Sequence, residues 1–444
     1  MRPILVCALL AFVANLPAAE KFVTVKSLNA LRPYLSQDGV KVRLAPGTYR
    51  LDSATSANFL EISGNNSHFD FNGVKLEVDT ALIQKAKEES NMVFIKGNRV
   101  FLEGLSIETV GAKYGRHGCR AVSIVSDHVT ISNVSMKLEG SYPYGYGSFF
   151  GIGADQSTLI SPKKLSGIRV GGLNDQVIGC RVIMRCFGHA IFLRGAQHAL
   201  IKDCYIEGAL RKTDDILAEQ SGPAFDFKFM QYTGKLIPAG EMTSLSEDGI
   251  RAYPDDPTIN RRTQNIRVEN CRVTRMRRAI CLAFAAGQNA ITGCEVTESE
   301  RVGYHISSNT TVRDSRGDAL YAQVLDISSS DARNADVHLE VLDSRKHYGN
   351  DLLAKINGTG HRVVLKESVA GAVPGDMTVE LGSDRGFGEG RMKGPRAKKV
   401  QLENRTPASV LLQKPTEGCT VNSVGPVDDK GEANSVKRIG MEKP

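Results

Sequence analysis

The sequence predicts an all-β chain wound as a right-handed parallel β-helix, a solenoid with an N-terminal helical cap and long loop insertions. Three observations carry that prediction. A short pattern recurs along the middle of the chain, a second strand precedes several of its copies, and helical periodicity is nearly confined to one stretch near the start. The copies are SHFDFNGVKL (67–76), NRVFLEGLSI (98–107), DHVTISNVSM (127–136), NDQVIGCRVI (174–183), QHALIKDCYI (197–206), QNIRVENCRV (264–273) and QNAITGCEV (288–296), with SNTTVRDSRG (308–317) as a degraded one. Where nothing is inserted they follow one another at about 23 to 31 residues, and a unit of two or three strands on that period cannot bury its own apolar face. Stacked coil on coil it can, at about 4.8 Å per step. A propeller would need blades of about 40 residues with four strands each.

The chain in order supports this reading. The opening run MRPILVCALLAFVANLPAAE has a positive start, an apolar core and a small-residue exit, so 1–19 is expected to be a signal peptide. Its apolar run is too short to span a bilayer. The mature chain is therefore expected to be secreted or periplasmic, with no membrane association after cleavage. Residues 20–58 form the cap and an opening strand. Leu28, Leu31 and Leu35 share one helical face within 26–38, and the strand at 42–49 carries a Pro46-Gly47 turn. The β-helix spans 59–320, interrupted by insertions at 139–165 and 207–247. Further coils or a β cap fill 321–424, and the polar tail 425–444 is expected to fray.

The net charge of +7 is compatible with an acidic partner. No basic tail or nucleic-acid motif is present, so nucleic acid is not expected as a partner, and the chain is expected to act as a monomer. Cys180, Cys204, Cys271 and Cys294 occupy one position in four copies, with Asn133, Gly104 and Gly73 aligned before them and Ser315 after. Small buried thiols filling a column explain this better than a metal or redox cluster.

Aligning the second strands sets Ile168, Ile191, Ile250, Ile280 and Tyr304 inward. Arg169, Phe192, Arg251, Cys281 and His305 then point outward, with Arg251 and His305 about 9.6 Å apart. Arg194 and Tyr253 face outward two residues further on. Both insertions flank these coils, and the first carries Tyr144 and Tyr146 in a glycine-rich loop. Such a face is a candidate groove for an acidic chain, with His189, Tyr144 and Tyr146 as further binding candidates. The segment 221–253 stands out. In Phe225-Asp226-Phe227-Lys228-Phe229-Met230 the alternation predicts a strand with the phenylalanines on one side and Lys228 on the other. Beside Arg251, a like charge and partial desolvation would lower the pKa of Lys228 and suit it to act as a general base.

These features resemble the β-helical polysaccharide lyases, and most closely the alginate lyases of families 6 and 31. The signal peptide, the LAPGTY stretch at 44–49, the stacked coils and a lysine followed by an arginine in DGIR carry the resemblance. It implies β-elimination on an acidic polysaccharide containing uronic acid, with poly-mannuronate as the best candidate. It also implies Lys228 as the base and Arg251 as the acid or leaving-group stabiliser. The enediolate that develops needs positive charge at the carboxylate. Arg194, His189 or His305 supplies it in one version. Ca²⁺ does so in another, with Asp214, Asp215, Glu219 and Glu247 as nearby ligands of no regular calcium-loop spacing.

Three rival functions stay open at this level. A β-helical glycoside hydrolase needs clustered carboxylates. Thr213-Asp214-Asp215 and Gly188-His189-Ala190 resemble pieces of one, in reversed order. A uronate epimerase shares the first proton abstraction, yet Asp255-Asp256-Pro257-Thr258 does not match its usual string. A non-catalytic polysaccharide-binding or adhesin solenoid explains the repeats with no need for Lys228.

Overall fold

Short strands with alternating burial, separated by residues that accept positive φ, leave the backbone one economical solution, which is to coil. The structure is a computed structural model that describes residues 21–54, 56–86, 88–111, 118–151, 159–343, 351–383, 396–414 and 416–440. The signal-peptide expectation for 1–19 lies outside the described residues. The chain forms a parallel β-helix, and its crossovers take the right-handed sense that parallel strand connections adopt.

One sheet of thirteen strands carries the outward face that matters below. It climbs in chain order from Asn58–Ile62 to Val427–Asp429, every neighbour parallel. The remaining coil strands form a larger sheet that closes the other sides. The core is a continuous stack of Val, Ile and Leu with the inward column Ile168, Ile191, Ile250, Ile280 and Tyr304 fully buried. Their partners are in direct register, and so are Arg169, Phe192, Arg251, Cys281 and His305 on the outside.

Three details differ from the sequence reading. The cysteine column is built from Cys180, Cys204, Cys271 and Cys294 with Val134, Leu105 and Val74 before them, one residue later than the alignment set it. Asn133, Gly104 and Gly73 instead join Gly179, Asp203, Asn270 and Gly293 at a corner where φ is positive. Glycine, asparagine and aspartate tolerate that conformation, which explains the column's composition. The thiols are buried and free.

The cap helix is shorter than 26–38. Ser27 caps a single turn, Leu28–Leu31, and Pro33 then tightens the chain into a 3-10 turn at Arg32–Tyr34. The polar tail also differs. Val427–Asp429 and Ser435–Arg438 pair with Ser409–Leu412 and Thr420–Ser423 instead of fraying. A last coil offers a row of open backbone groups, and polar strands satisfy them as well as apolar ones do.

The insertions pack on each other. Tyr146, Phe149 and Phe150 from the first meet Ile216, Ala224 and Ile237 from the second in a small separate core. A hairpin of Leu210–Lys212 with Met242–Ser244 ties the second insertion down and returns the chain to the strand Asp248–Ala252.

Candidate active site

The outward face between the first insertion and the coil at Tyr253 holds a cleft of about 380 Å³. Lys163 and Lys164 reach it from the returning limb of the first insertion. Arg120 comes from the strand Cys119–Ile124, His189 and Arg194 flank the strand Ile191–Leu193, Tyr253 follows the strand Asp248–Ala252, and Glu89 stands at the rim. Arg194 and Tyr253 are neighbours by register, each one residue past the paired Leu193 and Ala252.

Behind the cleft lies a buried set of charges. Glu247 sits 2.9 Å from Lys164 Nζ, 3.3 Å from His189 Nε2 and 3.6 Å from Arg277. Burial alone would raise its pKa, yet His189, Lys164 and Arg277 outweigh burial and hold the carboxyl at about 2. Asp248 receives Arg278 at 2.8 and 3.0 Å and Arg277 at 3.1 Å. Burial opposes its ionisation too, and Arg278, Arg277 and Arg251 keep it well below the usual carboxylate range.

His189 is buried against this pair. Burial pushes its pKa down to about 4, overriding the pull of Glu247 and Asp248, so the ring is neutral at working pH. The Asp248 backbone N–H donates to His189 Nδ1 at 3.3 Å. That contact assigns the ring proton to Nε2, which lies 2.8 Å from Tyr253 Oη. The phenol is thus free to turn its own hydrogen toward the cleft. Burial raises the pKa of Tyr253, and the positive charge of Lys164 and Arg251 pulls the other way.

Arg194 makes no side-chain hydrogen bond or ion pair among the described residues. Three other cations in or beside the cleft are committed. Arg120 pairs with Glu89, Arg169 with the buried Asp256, and Lys164 with Glu247. Asp256 belongs to a small hairpin, Asp255–Asp256 with Arg261–Arg262, that folds over Arg169 and takes it out of the groove.

The sequence candidates divide accordingly. His189, Arg194 and Tyr253 come together at the cleft. Arg251 is close by but only 12 % exposed. It donates to Cys281 Sγ at 2.9 Å and lies under the rings of Tyr253 and Phe284, at 5.1 and 4.5 Å. His305 stands one rung beyond Cys281, its Nδ1 3.4 Å from the sulfur. Burial opposes a thiolate, yet Arg251, His305 and Arg278 bring the Cys281 pKa down to about 6.

Lys228 does not sit as the alternation suggested. Pro223 starts a one-turn helix, Pro223–Asp226, and Lys228 and Phe229 follow in left-handed turns at φ 52° and 57°. Lys228 is exposed there, and no contact among the described residues joins it to Arg251. Tyr146 points into the core between the insertions and donates to Glu219 at 2.8 Å. Tyr144 is half-buried and outside the cleft lining.

The calcium candidates do not converge. Asp214 and Asp215 are exposed on the short helix Thr213–Leu217, Glu219 is tied to Arg211 and Tyr146, and Glu247 is buried among cations. Among the described residues no three acidic, histidine or cysteine side chains are placed to hold a metal ion. Sequence reasoning missed Lys164. It lies at the end of an insertion with no periodicity, and its only signal was the Lys163-Lys164 pair just before a strand.

The coiled scaffold and a cleft on its outer sheet define a β-helix protein with a cleft on one face. The signature of the family described as right-handed β-helix region matches residues 54–338, and the chain belongs to that family. No curated protein matches the chain by sequence. Among solved structures it is similar to a mannuronic-acid-specific polysaccharide family 6 lyase from human gut microbiota. That match has 11 % identity and a TM-score of 0.49, over 96 % of this chain and 92 % of the other. It is also similar to the catalytic domain of a GH87 alpha-1,3-glucanase in complex with nigerose, at 11 % identity and a TM-score of 0.43 over 97 % and 67 %. An alginate lyase from Paenibacillus sp. str. FPU-7 matches at 10 % identity and a TM-score of 0.37 over 94 % and 99 %. At this identity the likeness is one of fold, and the chemistry has to be argued from the cleft. No helix among the described residues is long and apolar enough to cross a membrane.

Proposed function

We propose that the protein is a polysaccharide lyase that cleaves an acidic, uronic-acid-containing polysaccharide by β-elimination, with poly-mannuronate as the first substrate to test. One observation carries the reading. A tyrosine backed by a buried neutral histidine faces a cleft that also holds an unpaired arginine.

In this mechanism Arg194, with Lys164 beside it, binds the uronate carboxylate and offsets the charge that builds there. Tyr253 as phenolate takes the proton at C5, helped by the His189 Nε2 proton and by the field of Lys164 and Arg251. The C5–H electron pair forms the C4=C5 double bond as the C4–O bond breaks. Tyr253 then returns the proton to the departing glycosidic oxygen. One residue does both only when H5 and O4 lie on the same face of the ring, as they do in mannuronate and not in guluronate. The products are a new chain end and an unsaturated uronate. Arg251 acts through Tyr253 in this scheme, and Lys228 has no part in it.

The hydrolase reading is weaker because it needs free carboxyl groups to act as acid and base. Glu89, Glu247, Asp248 and Asp256 are each paired to a cation. The test is incubation with poly-mannuronate, poly-guluronate, pectate and glycosaminoglycans while following the ultraviolet absorbance of the unsaturated product. No rise on any of them defeats the proposal, and new reducing ends without that absorbance indicate hydrolysis.

A further inference from the structure

Among the described residues Phe284 is one of ten large apolar side chains left exposed, at 43 %, and its ring shares the Arg251 guanidinium with the ring of Tyr253, which lines the cleft. Its position follows from the ladder. Cys281 pairs with Arg251, so Ala283 is level with Tyr253, and Phe284 comes one residue later on the next coil. A turn closed by Ala285 N–H to Leu282 O at 3.0 Å follows the strand and carries Phe284. The Arg251 guanidinium covers one face of the ring at 4.5 Å, and His305 meets it edge-on at 6.1 Å. The rest of the ring faces solvent.

We infer that Phe284 forms a separate sugar subsite, on which the apolar face of one pyranose of the acidic glycan stacks, one coil above the unit held at Tyr253. The proposal rests on the lyase reading for its ligand class. Continuity supports it: Arg194 and Tyr253 are level on consecutive coils, and Phe284 stands on the next, one residue past that line. Spacing supports it too, because a step of about 4.8 Å per coil suits a glycan running along the solenoid axis. Charge supports an acidic occupant. The Arg251 guanidinium lies against the ring, and Arg194, with no ion pair among the described residues, stands two coils below. The exposed ring offers a sugar low-entropy apolar contact.

The experiment is calorimetric titration of mannuronate oligosaccharides, from disaccharide to hexasaccharide, into protein carrying Tyr253→Phe to prevent turnover. Phe284→Ala added to this background is expected to weaken the longer oligosaccharides about three- to tenfold and leave the disaccharide unchanged. Phe284→Trp is expected to restore the long-chain affinity. Equal affinities with and without the ring overturn the subsite and leave the lyase reading standing. Absence of uronate binding by the background protein removes both. A sugar-independent dimer that dissociates on Phe284→Ala assigns the ring to a second copy of the chain and also overturns the subsite.

Discussion

His189 Nε2 and Tyr253 Oη meet at 2.8 Å, with the imidazole buried behind the phenol and the phenol facing the cleft. The histidine touches no substrate in the proposed scheme. Its work is to present a proton to the phenolate and to hold the ring. Replacing it with alanine is expected to lower kcat by about 10- to 100-fold with little change in KM, and to shift the alkaline limb of the pH–rate profile upward. Equal losses in kcat and in stability, with an unmoved pH profile, would reduce it to a packing residue.

The rate is expected to increase with pH above neutrality. Burial raises the pKa of Tyr253, so the phenolate fraction grows through the alkaline range, about tenfold per unit below that pKa. A profile that peaks below pH 6 would point to a carboxyl group and away from Tyr253.

Lys164 and Lys228 separate two assignments. Lys164→Ala removes a cleft cation and leaves the buried Glu247 without its nearest partner, so both activity and stability are expected to fall, the latter by about 1–3 kcal/mol. Lys228→Ala, on an exposed turn, is expected to leave both unchanged in turnover assays and urea melts. Loss of turnover in Lys228→Ala would restore the lysine that the alternating phenylalanines suggested.

The buried charges make stability fall on acidification. His189 is held at about 4, below the roughly 6.5 of an unfolded chain, so between those values the unfolded chain binds a proton that the folded one refuses. Glu247, held at about 2, and Asp248 add their contribution above about pH 4 and lose it as the pH falls toward their folded values. Thermal melts are expected to decline from pH 7 to pH 4 and to drop more steeply below. A melting temperature that is flat between pH 7 and 4 would contradict the assigned state of His189.

Much of this was legible in the residues because a solenoid repeats. The inward isoleucines and the outward order Arg169, Phe192, Arg251, Cys281, His305 follow from alternation and coil spacing alone, and the register reproduces them. Alternation failed in the insertions, where nothing stacks to enforce it. Phe225, Phe227 and Phe229 read as a strand, but Pro223 begins a helical turn there. Arg169 was legible as outward and illegible as paired, since Asp256 reaches it from a hairpin far along the chain. The same holds for Glu247. Its sequence context offered it as a calcium ligand, and only the return of the insertion beneath Lys164 buries it among cations.

The central claim is the chemistry at Tyr253, and Tyr253→Phe tests it most directly. The measurement is the initial rate of unsaturated-product absorbance on poly-mannuronate, for the wild type and for this variant at equal folded concentration. The wild type is expected to give a clear rate, and Tyr253→Phe to lose at least about 100-fold with substrate binding retained. A variant that keeps most of the wild-type rate would contradict it.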